Sequence, residues 1–92
     1  RLVIQTKGQG QGRACVRLLK HMAFAELHAH RFWLDVKSLN VRAQRLYASE
    51  RFFEEGRLRE SVGAGDGYDS LIVMSLLDRE YDARVALGLE AV

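Results

Sequence analysis

Lys7-Gly8-Gln9-Gly10-Gln11-Gly12-Arg13-Ala14 decides how the rest of this chain is read. It separates a short apolar run, Leu2-Val3-Ile4, from a long segment with helical spacing that begins at Arg13, so its glycines stand where a strand hands over to a helix. Glycines at every second position leave the backbone amides bare of side chains. The first amides of a helix lack intrahelical partners and carry the positive end of the helix dipole. Such a turn is a ready site for an anion, phosphate above all, and its plain alternative is a tight turn without a ligand. Two nucleotide motifs fit poorly: the glycines do not follow Gly-x-Gly-x-x-Gly, and Gly12 leads into Arg13-Ala14 where a P-loop has Lys and Ser or Thr.

From Arg13 to about His30, Cys15, Leu18, Leu19, Met22, Ala25 and Ala29 recur at three- and four-residue steps, which predicts a helix with one buried face and places Cys15 in the packing. Arg31-Phe32-Trp33-Leu34-Asp35-Val36 is aromatic and β-branched and reads as a strand. With Leu2 to Ile4 it implies a right-handed parallel crossover. Asn40 is placed to cap a second, shorter helix from Val41 to about Phe52, with Ala43, Leu46 and Tyr47 on one face and Arg42, Arg45 and Glu50 outside. Phe53 to Ser61 and Tyr68 to Leu77 read as two strands of an antiparallel hairpin whose tip is the glycine-rich stretch Ser61 to Gly67. The expected class is therefore α/β, an α+β arrangement around a mixed sheet, in the order strand, helix, strand, helix, strand, strand. Residues 1–81 form one segment, and residues 82–92 form a tail that is weakly helical or disordered.

A chain of 92 residues is at most one domain, and at that size it buries only about 60 to 65% of its unfolded surface. With 48% hydrophobic and 28% charged residues it has the balance of a globular protein. No apolar run approaches the roughly 20 residues needed to cross a bilayer, and no signal peptide is visible, so a cytoplasmic location without a membrane partner is expected. Cys15 has no second cysteine to pair with. His21, His28 and His30 lack the spacing of metal ligands, so no metal is expected. A net charge of +2 is too mild for a nucleic-acid partner, and the scattered arginines read as solvated surface. The sequence begins on Arg1 rather than methionine, which suggests a processed chain, a trimmed one or a piece of a larger product.

Phe32-Trp33-Leu34-Asp35-Val36, Asn40-Val41-Arg42-Ala43, Leu46-Tyr47 and Glu55-Gly56-Arg57-Leu58-Arg59-Glu60 follow one another in an order and spacing that carries further information. Together with the glycine turn and Asp69-Ser70-Leu71-Ile72-Val73-Met74-Ser75-Leu76, they resemble the C-terminal half of the GCN5-related N-acetyltransferase (GNAT) superfamily. The flavour is that of its spermidine and ribosomal-protein acetyltransferase branch. The resemblance implies an acetyl-coenzyme A site. The family's turn has the form Gln/Arg-x-x-Gly-x-Gly/Ala, matched here by Lys7, Gly10 and Gly12, with lysine keeping the positive charge. It implies that the amides of Gln9, Gln11, Arg13 and Ala14 join those of Gly10 and Gly12 around the pyrophosphate. Asn40 matches the position that reaches the pantetheine arm, alongside its capping role. Tyr47 matches the tyrosine that protonates the departing thiolate, alongside the alternative of a core tyrosine. Arg51 stands where the family has a glycine, so a left-handed turn there would be strained.

The resemblance implies transfer of an acetyl group to a primary amine, whether polyamine, small amine or protein N-terminus. The family's substrate-facing first half has no counterpart in these residues. That expectation leaves a second reading open: a non-catalytic half-domain that oligomerises, as a homodimer or with a complementary chain, through an open sheet edge.

Overall fold

The computed structural model describes residues 11–90, which form three helices and three strands. They are α1 (Gln11–His21), continued by a π-helical turn (Met22–Glu26), β1 (Arg31–Lys37), α2 (Val41–Ser49), β2 (Phe53–Ala64), β3 (Gly67–Leu77) and α3 (Asp78–Ala86). The strands make one sheet in the order β1-β3-β2. β2 and β3 pair antiparallel. At the two ends of β1, Ser38 N–H donates to Ser70 O and Asp78 N–H to His30 O, which sets β1 antiparallel to β3 as well. Among the described residues the sheet is thus antiparallel throughout, a partial α+β domain. The strand expected at Leu2 to Ile4, which would supply the parallel pair of a mixed sheet, lies outside the described residues.

The fold divides into two compact units. In the first, residues 33–75, β1 alternates with Leu34 and Val36 buried while Trp33 and Lys37 face out. β3 is the central strand and buries Asp69, Leu71, Ile72, Met74 and Ser75 in near-continuous sequence. β2 is the outer strand, exposed from Phe53 to Ser61. It departs from regular pairing twice, between Glu54 and Gly56 and between Leu58 and Val62. Bulges of this kind bend an edge strand and interrupt the row of groups that another strand would pair with. The hairpin tip is much shorter than expected: Ala64 pairs with Gly67, and only Gly65 and Asp66 turn the chain. Gly65 takes φ +59, the positive value that a two-residue II′-type turn needs at its first position.

The second unit holds α1, the π-helical turn and α3. Here the buried face is not the expected one. Gly12, Val16, Lys20 and Phe24 are buried at four-residue steps, whereas Cys15, Leu18 and Met22 are exposed. A shift of one residue turns a helix face by about 100°, and the buried face here includes Lys20. Its ammonium is fully buried and lies 2.6 Å from Glu90 Oε1, while Glu90 Oε2 accepts from Arg84 Nε at 2.5 Å. The contact at Oε1 is an ion pair outside hydrogen-bond angles. Phe24 adds ring contacts to Tyr81, stacked at 4.9 Å, and to Phe32 at 6.3 Å.

The helix also stops before His30. Leu27 N–H reaches back to Met22 O, Ala29 N–H to Ala23 O, and His28 takes φ +55. At the start of α3, Glu80 Oε1 accepts the Leu77 N–H at 2.9 Å, satisfying one donor at the helix entry.

Candidate functional site

Two helix beginnings carry the residues singled out by the sequence. Lys7, Gln9 and Gly10 lie outside the described residues. Gln11, Gly12, Arg13 and Ala14 form the first turn of α1, with Gly12 buried and Arg13 and Ala14 exposed. That turn contains no acidic residue, while Lys20 and His21 occupy the last turn. The electropositive amides of that first turn thus meet no competing carboxylate from the turn itself. The chemistry suits a phosphate-bearing ligand.

α2 starts at Asn40, whose Oδ1 accepts the Ala43 N–H at 3.1 Å. With its oxygen committed to the cap, the exposed Asn40 side chain offers its NH2 group as a donor. Ligand contact and capping thus use different atoms of one amide. Tyr47 follows seven residues later, two turns and roughly 10 Å along the same side of the helix. It is buried and meets Phe52 edge-on, with ring centroids 6.0 Å apart at 63°. Asn40 and Tyr47 are therefore brought onto one helix; Glu50, expected outside, is buried at the end of it.

The end of α2 bears out the expectation for Arg51, which takes φ +72. Arg51 N–H donates to Ala48 O and Phe52 N–H to Tyr47 O, both at 3.0 Å. These are the paired bonds of a helix stop that ordinarily has glycine in the left-handed position. The Tyr47–Phe52 contact that closes the motif holds the arginine there.

Sequence reasoning missed the groups that hold the turn before Asn40. Asp69, buried on β3, accepts the Ser38 hydroxyl on Oδ1. Gln44 Nε2 donates to Lys37 O at 3.1 Å and Ser38 O at 2.8 Å. The Ser38 hydroxyl first, and then the Ser70 and Leu39 amides, hold the Asp69 carboxyl below its ordinary value against the opposing effect of burial. One signal was present: an aspartate inside the most apolar strand of the chain needs donors. Among the described residues, no group of three or more His, Cys, Asp or Glu is placed to hold a metal ion, and no helix is long and apolar enough to cross a membrane.

Residues 5–52, just over half of the chain, match the Acetyltransferase (GNAT) family. The match spans the glycine turn, α1, β1 and α2. Among solved structures, the spermidine/spermine N-acetyltransferase SpeG from Vibrio cholerae, in complex with manganese ions, is similar at 29% identity and a TM-score of 0.81. That likeness covers 85% of this chain and 46% of that one. A chimera of the V. cholerae spermidine N-acetyltransferase SpeG and hSSAT is 30% identical with a TM-score of 0.78, over 84% of this chain and 46% of the other. The chain thus spans less than half the length of the structures it matches.

Proposed function

Since the chain belongs to the GNAT acetyltransferase family, which uses acetyl-coenzyme A, we propose that it is the cosubstrate-binding half of an N-acetyltransferase acting on a primary amine. The match over residues 5–52 carries this reading, because its span in the sequence includes the glycine turn and both helix starts described above. The first-turn amides of α1, from Gln11 to Ala14 and continuing back through Gly10 and Gln9, would hold the pyrophosphate, with Lys7 adding charge. The Asn40 NH2 would donate to the pantetheine arm. When bound, acetyl-coenzyme A supplies the thioester that the amine attacks. Tyr47 would return a proton to the departing sulfur, since a phenol is a weak acid suited to that task. Polyamines are the favoured acceptors, on the strength of the likeness to SpeG. Residues 1–81 would then be the coenzyme A-binding segment.

The test is thermal unfolding with and without coenzyme A. A ligand that binds only the folded chain at a hundred times its Kd adds about 2.7 kcal/mol of stability, so a clear rise in Tm with coenzyme A and none with adenosine is expected. An unchanged Tm at millimolar coenzyme A would contradict the proposal. A second reading, a non-catalytic half-domain assembling with another chain, draws on the exposed Phe53, Leu58 and Tyr68 of the hairpin. Sedimentation showing a folded monomer that binds coenzyme A would count against it.

A further inference from the structure

Asp69 plays no part in the reading above, yet it is 3% exposed and surrounded by donors. Its carboxylate accepts the Ser38 hydroxyl and the Ser70 N–H on Oδ1, the latter at 2.7 Å, and the Leu39 N–H on Oδ2 at 3.5 Å. Ser38 N–H donates to Ser70 O at 2.8 Å, so Ser38 is tied to β3 by backbone and side chain together. From the other side, Gln44 of α2 binds the carbonyls of Lys37 and Ser38, and Asn40 N–H donates to Lys37 O at 2.9 Å. The turn that carries the chain from β1 to Asn40 is thus clamped between the central strand and the helix it starts.

We propose that Asp69 is a positioning residue for recognition of the pantetheine arm: by fixing Ser38 and Leu39 to the central strand, it determines where Asn40 enters α2 and offers its amide. The inference rests on the coenzyme A reading, because it assigns Asp69 a role through Asn40. A carboxylate suits the place better than a neutral amide. Donors converge on it from Ser38, Leu39 and Ser70, and an asparagine would turn its own NH2 against one of them. Ser70 extends the same clamp outward. Its Oγ accepts the Glu60 N–H at 3.1 Å, in the irregular stretch of β2 where Glu60 takes φ +47.

The experiment titrates the wild type, Asp69→Asn, Asn40→Ala and the double variant with two ligands. One is coenzyme A, and the other is 3′-phosphoadenosine 5′-diphosphate, which keeps the nucleotide and diphosphate and lacks pantetheine. Asp69→Asn is expected to weaken coenzyme A about tenfold, the equivalent of one hydrogen bond, while the truncated ligand binds as before. The double variant is expected to lose no more than Asn40→Ala alone, as for residues acting through one contact. Amide exchange gives a readout independent of ligand: protection at Ala43 falls in Asp69→Asn, while protection at Glu50, at the far end of α2, stays. Equal loss of both ligands, additive losses, or unchanged coenzyme A affinity with intact Ala43 protection would overturn the proposal. Should Asp69→Asn fail to fold, Ser38→Ala removes one donor only and is expected to show the same selective loss in smaller measure. A wild type that binds neither ligand would sink the coenzyme A reading, and Ala43 exchange would still decide whether Asp69 positions Asn40.

Discussion

α2 and α3 end in the same way and are held by different means. In each, the residue past the helix takes a left-handed conformation, and its N–H and the next one reach back to the last turn. These are Arg51 to Ala48 and Phe52 to Tyr47 in α2, and Gly88 to Val85 and Leu89 to Arg84 in α3. The left-handed position is Gly88, φ +73, in α3, and Arg51, φ +72, in α2. Glycine adopts that conformation without penalty, whereas another residue gives up roughly 1–2 kcal/mol there. α3 therefore needs no strong side-chain contact at the stop itself, and Leu89 is left half exposed. Just beyond, Glu90 folds in to meet Lys20 and Arg84. α2 instead sets the Tyr47 and Phe52 rings against each other, and that packing holds the arginine in place. A helix stop can be encoded in its backbone residue or imposed by the side chains around it, and this chain does both.

The largest expected effect breaks the α3 side. Glu90→Ala removes a carboxylate whose side chain is 1% exposed from a fully buried lysine, and breaking a buried ion pair costs about 3–5 kcal/mol, measured by urea unfolding. A loss under about 1 kcal/mol would show that water or another partner replaces the carboxylate. Next comes the α2 side. Phe52→Leu keeps an apolar residue but removes the edge-on ring contact, worth about 0.5–1.5 kcal/mol beyond burial. The left-handed positions themselves give opposite signs: Arg51→Gly is expected to stabilise by about 1 kcal/mol and Gly88→Ala to destabilise by a similar amount. In Tm, each kcal/mol should appear as roughly 4–8 °C for a chain of this size. Equal responses at the two positions would mean that the surroundings, not the residue, set both.

The smallest effect is with pH. The carboxyls of Asp69 and Asp78 lie below their ordinary value of 3.8, held there first by the Ser38 hydroxyl and by His30 respectively. A depressed native value contributes stability above the ordinary value and loses it as pH falls through the lower one. Asp69→Asn and Asp78→Asn should each flatten the fall of Tm in the acid range, and an unchanged acid limb would contradict the assignment.

Much of the fold could be read because local patterns agreed with it. The run Phe32 to Val36, the cap at Asn40 and the apolar strand from Tyr68 to Leu77 each sit where the sequence places them. Buried charge is one thing that local patterns do not show. Lys20 and Glu50 are buried. The partner that permits this for Lys20 is Glu90, seventy positions away, which no local pattern reveals. The hairpin tip was misjudged because Ser61 to Gly67 looks like a loop, although Val62 to Ala64 continue the ladder and Gly65 and Asp66 alone make the turn. At the candidate site, the residue types at the two helix starts were legible, whereas the sequence marks Asp69 only as an acid in need of donors, and its partners and the role of Gln44 show in three dimensions.

The most direct measurement is calorimetric titration of coenzyme A into the folded chain, alongside Gly12→Asp, which puts a carboxylate into the first turn of α1. Saturable one-to-one binding to the wild type, weakened at least tenfold in the variant by a charge set against the phosphates, is the expected result. No saturable heat from a chain shown to be folded, or equal affinity in the variant, would contradict the assignment of this turn to the pyrophosphate.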